Sequence, residues 1–147
     1  MRPLSEGNGS RRGPALAAAT AATAATMLAL DLLWLGILVK DFYDTSLGSL
    51  KRPNVYWPAA ALFYSFYVAA IVGHAVRGSA SPAAAARRGA ALGLVAYGTY
   101  ELTNWAVLRG WPARLVPVDL VWGIGLTAAA GFVGKWVFDK VADGSGR

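Results

Sequence analysis

Residues 89–108 read GAALGLVAYGTYELTNWAVL, an apolar run with a single charge, Glu101, set in its second half. A helix rises ~1.5 Å per residue and needs about 20 mostly apolar residues to cross ~30 Å of hydrocarbon, so this run has the length of a membrane span. Three other runs share its character: Ala15 to Val39, Trp57 to Val76 and Leu115 to Phe138. The whole chain agrees with them, because 56% hydrophobic against 15% charged residues is too apolar for an ordinary soluble domain. The expected fold class is therefore all-α, an integral membrane bundle of four transmembrane helices running up-down-up-down. The spans are expected at about 15–39, 57–76, 89–108 and 115–138, within a transmembrane domain of residues 15–138.

Outward from the spans the chain turns polar. Residues 1–14, MRPLSEGNGSRRGP, hold little to bury and are expected to form a disordered cytoplasmic tail, with 139–147 as a short second tail. A cleaved signal peptide is the rival reading of the first run, but such h-regions are about 7–15 residues long and this run continues through Trp34 to Val39. The connection KDFYDTSLGSLKRPNVYW, residues 40–57, is too polar to cross. It suits either a short segment lying in the outer interface, with Tyr56 and Trp57 at headgroup level, or an irregular exposed loop. Lys and Arg set the orientation: nine fall on the side of the two termini and the second connection, five on the other, so both termini are expected in the cytoplasm.

Several function classes fall away. Without cysteine there are no disulfides, thiolate metal sites or cysteine nucleophiles. The net charge of +6 lies at membrane flanks rather than in a basic stripe with exposed aromatics, so no nucleic-acid partner is expected. Small residues four apart, at Gly89 and Gly93 and again at Gly123, Thr127 and Gly131, allow two helix backbones to approach closely. That seam lies either within the monomer or at a homodimer or membrane-complex interface.

Depth singles out the candidate site. Counted from the outer helix ends at ~1.5 Å per residue, Asp31 lies ~12 Å down, Glu101 and Tyr64 ~10 Å, and Asp119 about 6 Å. Four helices thus supply polar groups to one half of a bilayer. Tyr97, Glu101 and Asn104 share a face of the third span by their three- and four-residue spacing. DLLW at 31–34 and DLVW at 119–122 repeat an Asp-x-x-Trp pattern on helices expected to run in opposite directions. An embedded carboxylate costs about 2.5–3.5 kcal/mol and should face the bundle interior; without cations at their depth, at least one acid should stay protonated near neutral pH. Glu101 is expected to lie between the first, third and fourth spans, bonded to a side chain of another helix. Asp119, two residues after Pro117, has the competing reading of a first-turn acid at a helix N-terminus.

The candidate polar site is therefore Asp31, Tyr64, Tyr97, Glu101, Asn104 and Asp119, with no metal or cofactor expected. Such a cluster suits a module that binds or relays a proton, a cation or a polar headgroup from the outer leaflet. It suits equally a membrane enzyme acting on lipid or isoprenoid, with Glu101 or Asp31 as acid or base, or an accessory subunit whose polar groups fix helix register. The catalytic residues of such an enzyme are not legible, and membrane lipid is the only partner expected outright.

DLLWLGILVKDFY, LFYSFYVAAIV, LVAYGTYELTNWAVLRGWP and VDLVWG together resemble the bacterial membrane proteins grouped as domain of unknown function 2177, over about residues 26–131. The resemblance implies a small four-helix protein of the bacterial inner membrane and brings no activity, cofactor or catalytic residue with it.

Overall fold

The computed structural model describes residues 6–144, and every regular element among them is helical. Helix α1, Glu6–Leu33, ends in a π turn, Trp34–Leu38, closed by Val39 N–H donating to Trp34 O at 3.0 Å. A short helix α2, Lys40–Leu47, and a 3₁₀ turn, Gly48–Leu50, follow. Helix α3, Trp57–Ala70, runs into a second π turn, Ile71–Val76, where Arg77 N–H donates to Val72 O at 2.9 Å. Two long helices complete the chain, α4 at Pro82–Val107 and α5 at Leu115–Gly144.

The boundaries differ from expectation in informative ways. Residues 6–14, expected to be disordered tail, continue α1, because extending an existing helix adds a hydrogen bond for each residue fixed. Residues 1–5 and 145–147 of the expected tails lie outside the described residues. Helix α4 starts at Pro82 rather than Gly89, since Ser81 Oγ accepts the Ala84 N–H at 3.2 Å and Pro82 occupies the first turn, where its missing N–H costs nothing. Arg88 then donates to Gly78 O at 2.7 Å, fastening the tight α3–α4 turn. The 40–57 connection is largely helical rather than irregular.

Helix α5 is the centre of the bundle. It packs along α4 on one side and α1 on the other, with the π turn of α3 wedged against both α4 and α5. The α4–α5 seam is the small-residue seam: a Cβ on Gly89 would strike the backbone of Thr127, one on Gly93 the backbone of Gly123, and one on Gly123 the ring of Tyr97. The stripes at 89–93 and 123–131 are thus consumed inside the monomer.

Among the described residues three helices are long and apolar enough to cross a membrane: Arg12–Leu38, Trp57–Val76 and Leu115–Gly144. Helix α4 is as long, but Arg87, Arg88, Glu101 and Asn104 make it less apolar. The outside of the bundle is what lipid demands, with Phe66 74% and Val107 75% exposed. Inside, the two ends differ. The end away from α2 is closely packed, with Ala15, Ala19, Met27, Ile71, Ala75 and Ala130 fully buried beside the buried Thr23 and the Lys135–Asp139 pair; the end beneath α2 holds the acids.

Candidate functional site

Each of the three acids is buried, and each is met by an uncharged donor. Asp31 is 7% exposed on α1. Its Oδ2 accepts from Tyr64 Oη on α3 at 2.8 Å and its Oδ1 from Trp122 Nε1 on α5 at 3.2 Å, so one carboxylate ties three helices. The Trp122 ring stacks on Trp34, with centroids 4.4 Å apart and 3° between planes. The two Asp-x-x-Trp motifs therefore meet, the aspartate of the first bonded to the tryptophan of the second.

Asp119, 8% exposed on α5, accepts a hydrogen bond from Tyr43 Oη, which α2 inserts from the end of the bundle. A first-turn acid exposed at a helix N-terminus would not be buried in this way. Glu101 on α4 has no exposed surface. Its Oε2 accepts from Trp111 Nε1 at 2.9 Å, and its Oε1 is buried without a hydrogen-bond partner among the described residues. Trp111 belongs to the connection after α4, not to another helix. Gly110, at φ +80°, turns that connection back so that Trp111 lies over Glu101, edge-on to Tyr100 at 5.7 Å.

The six expected site residues are thus brought into one half of the bundle but not into one cluster. Asp31 and Tyr64 are bonded directly. Tyr97 packs on Gly123 and edge-on to Tyr67 at 6.3 Å, without a hydrogen bond to either acid. Asn104 is half-buried, and its side chain joins no acid. Glu101 is expected between the first, third and fourth spans, here α1, α4 and α5, and bonded to another helix; α4 packs on α5, but α1 packs on the other helices rather than along α4, and the bond comes from Trp111 of the connection. Tyr67 Oη lies 2.8 Å from Thr127 Oγ1, which donates to Gly123 O at 2.7 Å, so the polar atoms in the middle of the α4–α5 seam are satisfied locally.

Charge is what the site lacks. The ion pairs among the described residues join Lys40 and Lys51 to Asp44 and Lys135 to Asp139, and none touches Asp31, Glu101 or Asp119. No group of three or more His, Cys, Asp or Glu among the described residues is placed to hold a metal. The two lysines on Asp44, with the Lys40 hydrogen bond as the larger cause, hold that exposed carboxyl below the usual aspartate range. Sequence reasoning missed Tyr43 and Trp111, which cap Asp119 and Glu101 from the two connections at the α2 end. Those connections also touch each other, with the Arg114 guanidinium 5.6 Å from the Phe42 ring centroid. Between α1 and α3 an apolar cavity of about 280 Å³ is lined by Thr20, Ala24, Leu28, Tyr64 and Val68, so the Asp31 donor also faces a groove.

No curated protein and no solved structure matches the chain. The family model described as "Predicted membrane protein (DUF2177)" matches residues 16–136, which take in all of α3 and α4 and most of α1 and α5, and the chain belongs to that family.

Proposed function

We propose that the protein crosses the membrane four times with both termini in the cytoplasm, and that its buried carboxylates take up a proton or a small cation reaching them from the outer side. The observation that carries this reading is Glu101. Its side chain is wholly buried, one oxygen is held by Trp111, the other has no donor, and no cation pairs with it among the described residues. An ionised carboxylate so placed costs several kcal/mol, whereas a proton on Oε1, or a cation beside it, removes that cost. Trp111 then fixes the carboxyl plane and leaves Oε1 as the atom that loads. The caps support access from outside, since both come from the connections on that side.

Four crossings rest on the packing of α4. It lies against α5 along the small-residue seam, and its far face presents Leu94, Val95, Leu102, Trp105 and Val107 uncovered, as a lipid-facing helix does. Cysteine labelling from outside the cell at Ser46, and not at Ser81, is expected; the reverse pattern overturns the orientation. For the site, infrared titration of the purified protein should show a protonated carboxyl stretch near pH 7 that Glu101→Gln removes. If neither proton uptake nor cation binding changes in that variant, the reading fails.

The α1–α3 groove favours a second reading, in which the ligand is a lipid whose chain lies against Ala24 and Val68 and whose polar end meets Tyr64 and Asp31. Lipid that co-purifies with the parent and is lost on Ala24→Trp supports it. Unchanged lipid content removes it.

A further inference from the structure

Helices α1 and α5 run antiparallel, and the hydrogen bond from Trp122 to Asp31 fixes their register. Three residues further along α1 lies Trp34, and three residues back along α5 lies Asp119, so the same register sets Trp34 level with Asp119. The two Asp-x-x-Trp motifs therefore offer two sets of the same residue types, the first joined by hydrogen bonds throughout, the second joined between Tyr43 and Asp119 with Trp34 placed level by the register. One comprises Asp31, Trp122 and Tyr64; the other comprises Asp119, Trp34 and Tyr43. They are not in the same state. Asp31 receives both a tyrosine hydroxyl and an indole N–H. Asp119 receives the tyrosine hydroxyl alone, and Trp34 Nε1 is buried with no hydrogen-bond partner among the described residues.

We propose that these two half-sites form one proton-coupled switch, in which the Trp34–Trp122 stack gives its indole N–H to whichever aspartate is ionised and leaves the protonated one with its tyrosine alone. This rests on the proton-binding reading of the buried acids and adds that two of them act as a pair.

A carboxylate in a dry interior is stabilised by each N–H or O–H it accepts, so the aspartate with two donors keeps the charge and its counterpart takes the proton. In the structure described, that places the charge on Asp31 and the proton on Asp119. In the alternate state Trp34 donates to Asp119, Trp122 withdraws from Asp31, and one proton has passed from Asp119 to Asp31 with no other bond made or broken. Finally, rings stacked face to face at 4.4 Å and 3° cannot turn independently, so the stack couples the half-sites mechanically. Around the pair stand further tyrosines, Tyr67 and Tyr97, within electrostatic reach of Asp31, and no Lys, Arg or His pairs with either aspartate among the described residues.

Indole ¹H–¹⁵N NMR of the full chain in micelles tests the switch, with the Trp34 and Trp122 resonances assigned from Trp34→Phe and Trp122→Phe. An indole proton moves downfield when it gains a hydrogen bond. Asp119→Asn, a mimic of the protonated acid, should leave both resonances where they are in the parent. Asp31→Asn should move Trp34 downfield and Trp122 upfield together. Tyr64→Phe takes one donor from Asp31 without altering a charge, so it should produce the same paired shift in reduced size even if Asp31→Asn fails to fold. Movement of Trp122 without Trp34, in a folded Asp31→Asn or Tyr64→Phe protein, overturns the switch. Such a result leaves the carboxyl titration of Glu101 untouched, so loss of the pair and loss of the proton-binding reading are separate outcomes.

Discussion

Gly89 and Gly98 lie on the same helix and invite opposite outcomes from the same substitution. A Cβ on Gly89 would stand 3.0 Å from the Thr127 carbonyl carbon and 3.2 Å from Ala128 Cα, with the Thr127 oxygen nearer still. All three are backbone atoms and cannot swing aside, so Gly89→Ala must push α4 from α5 by roughly 0.5–1 Å. A gap of that size forfeits about a quarter to a half of the attraction in each contact along the seam, and overpacking of this kind costs about 1–3 kcal/mol. Alanine returns about 1 kcal/mol through its helix propensity. The net expectation is a loss of up to about 2 kcal/mol. A Cβ on Gly98 meets nothing within 4 Å, so Gly98→Ala keeps the propensity gain and should be neutral or stabilising by up to ~1 kcal/mol. Unfolding of the purified protein by SDS titration, followed by circular dichroism, measures both. If Gly89→Ala matches the parent, or Gly98→Ala is equally damaging, the seam does not hold the bundle as argued. The double change Gly89→Ala with Gly93→Ala should cost less than the sum of its parts, because the seam opens once for both.

Further outcomes follow from the site and its surroundings. Glu101→Gln should keep the fold, since an amide can accept from Trp111 as the acid does, whereas Glu101→Lys should cost about 3–5 kcal/mol by burying an unpaired charge; the same SDS titration compares them. Trp111→Phe should leave the helix content unchanged and alter the Glu101 carboxyl band in the infrared, because it removes the only donor to that acid among the described residues. Asp44, held below the usual aspartate range by Lys40 and Lys51, contributes to the α2 region while it is ionised. Because the folded value is the depressed one, that contribution is complete above the unfolded aspartate value of about 3.9 and is lost as pH falls through the folded value. Fraying of α2 at low pH, followed by hydrogen exchange, should vanish from the pH profile of Asp44→Asn.

Why some of this was legible in the sequence and some was not has a physical answer. Length and apolarity reveal spans because the bilayer imposes them, which is why α3 begins at Trp57 and α5 at Leu115 as expected. Glycine spacing revealed the α4–α5 seam because only small residues admit such an approach. Depth along a helix is also readable, and the three acids, expected at similar depth, share the α2 end of the bundle. Azimuth is not: a helix in lipid is apolar towards both its neighbours and the membrane, and the pattern does not say which helix it faces. Glu101 and Asp31 were therefore grouped although α5 stands between them. The caps were hidden for a related reason, since Tyr43 and Trp111 lie in polar connections and only the fold turns them inward onto Asp119 and Glu101. Neither π turn has a local signature beyond Gly36 and Gly73, which fall inside them.

The close packing of the end away from α2, where Lys135 is the one buried cation among the described residues, has an electrical consequence in the proposed orientation. There its apolar core is the less polarisable layer, and on that reading a larger share of the membrane voltage drops across it than across the half that holds the acids. Carrying one elementary charge through the whole of a 100 mV potential involves about 2.3 kcal/mol. An ion that travels only from the outer water to Glu101 or Asp119 crosses a small part of that drop. On the proposed reading, occupancy of the acids would follow the composition of the outer solution with little voltage dependence, and the buried Ala19, Met27, Ile71 and Ala130 would belong to the layer between the two compartments.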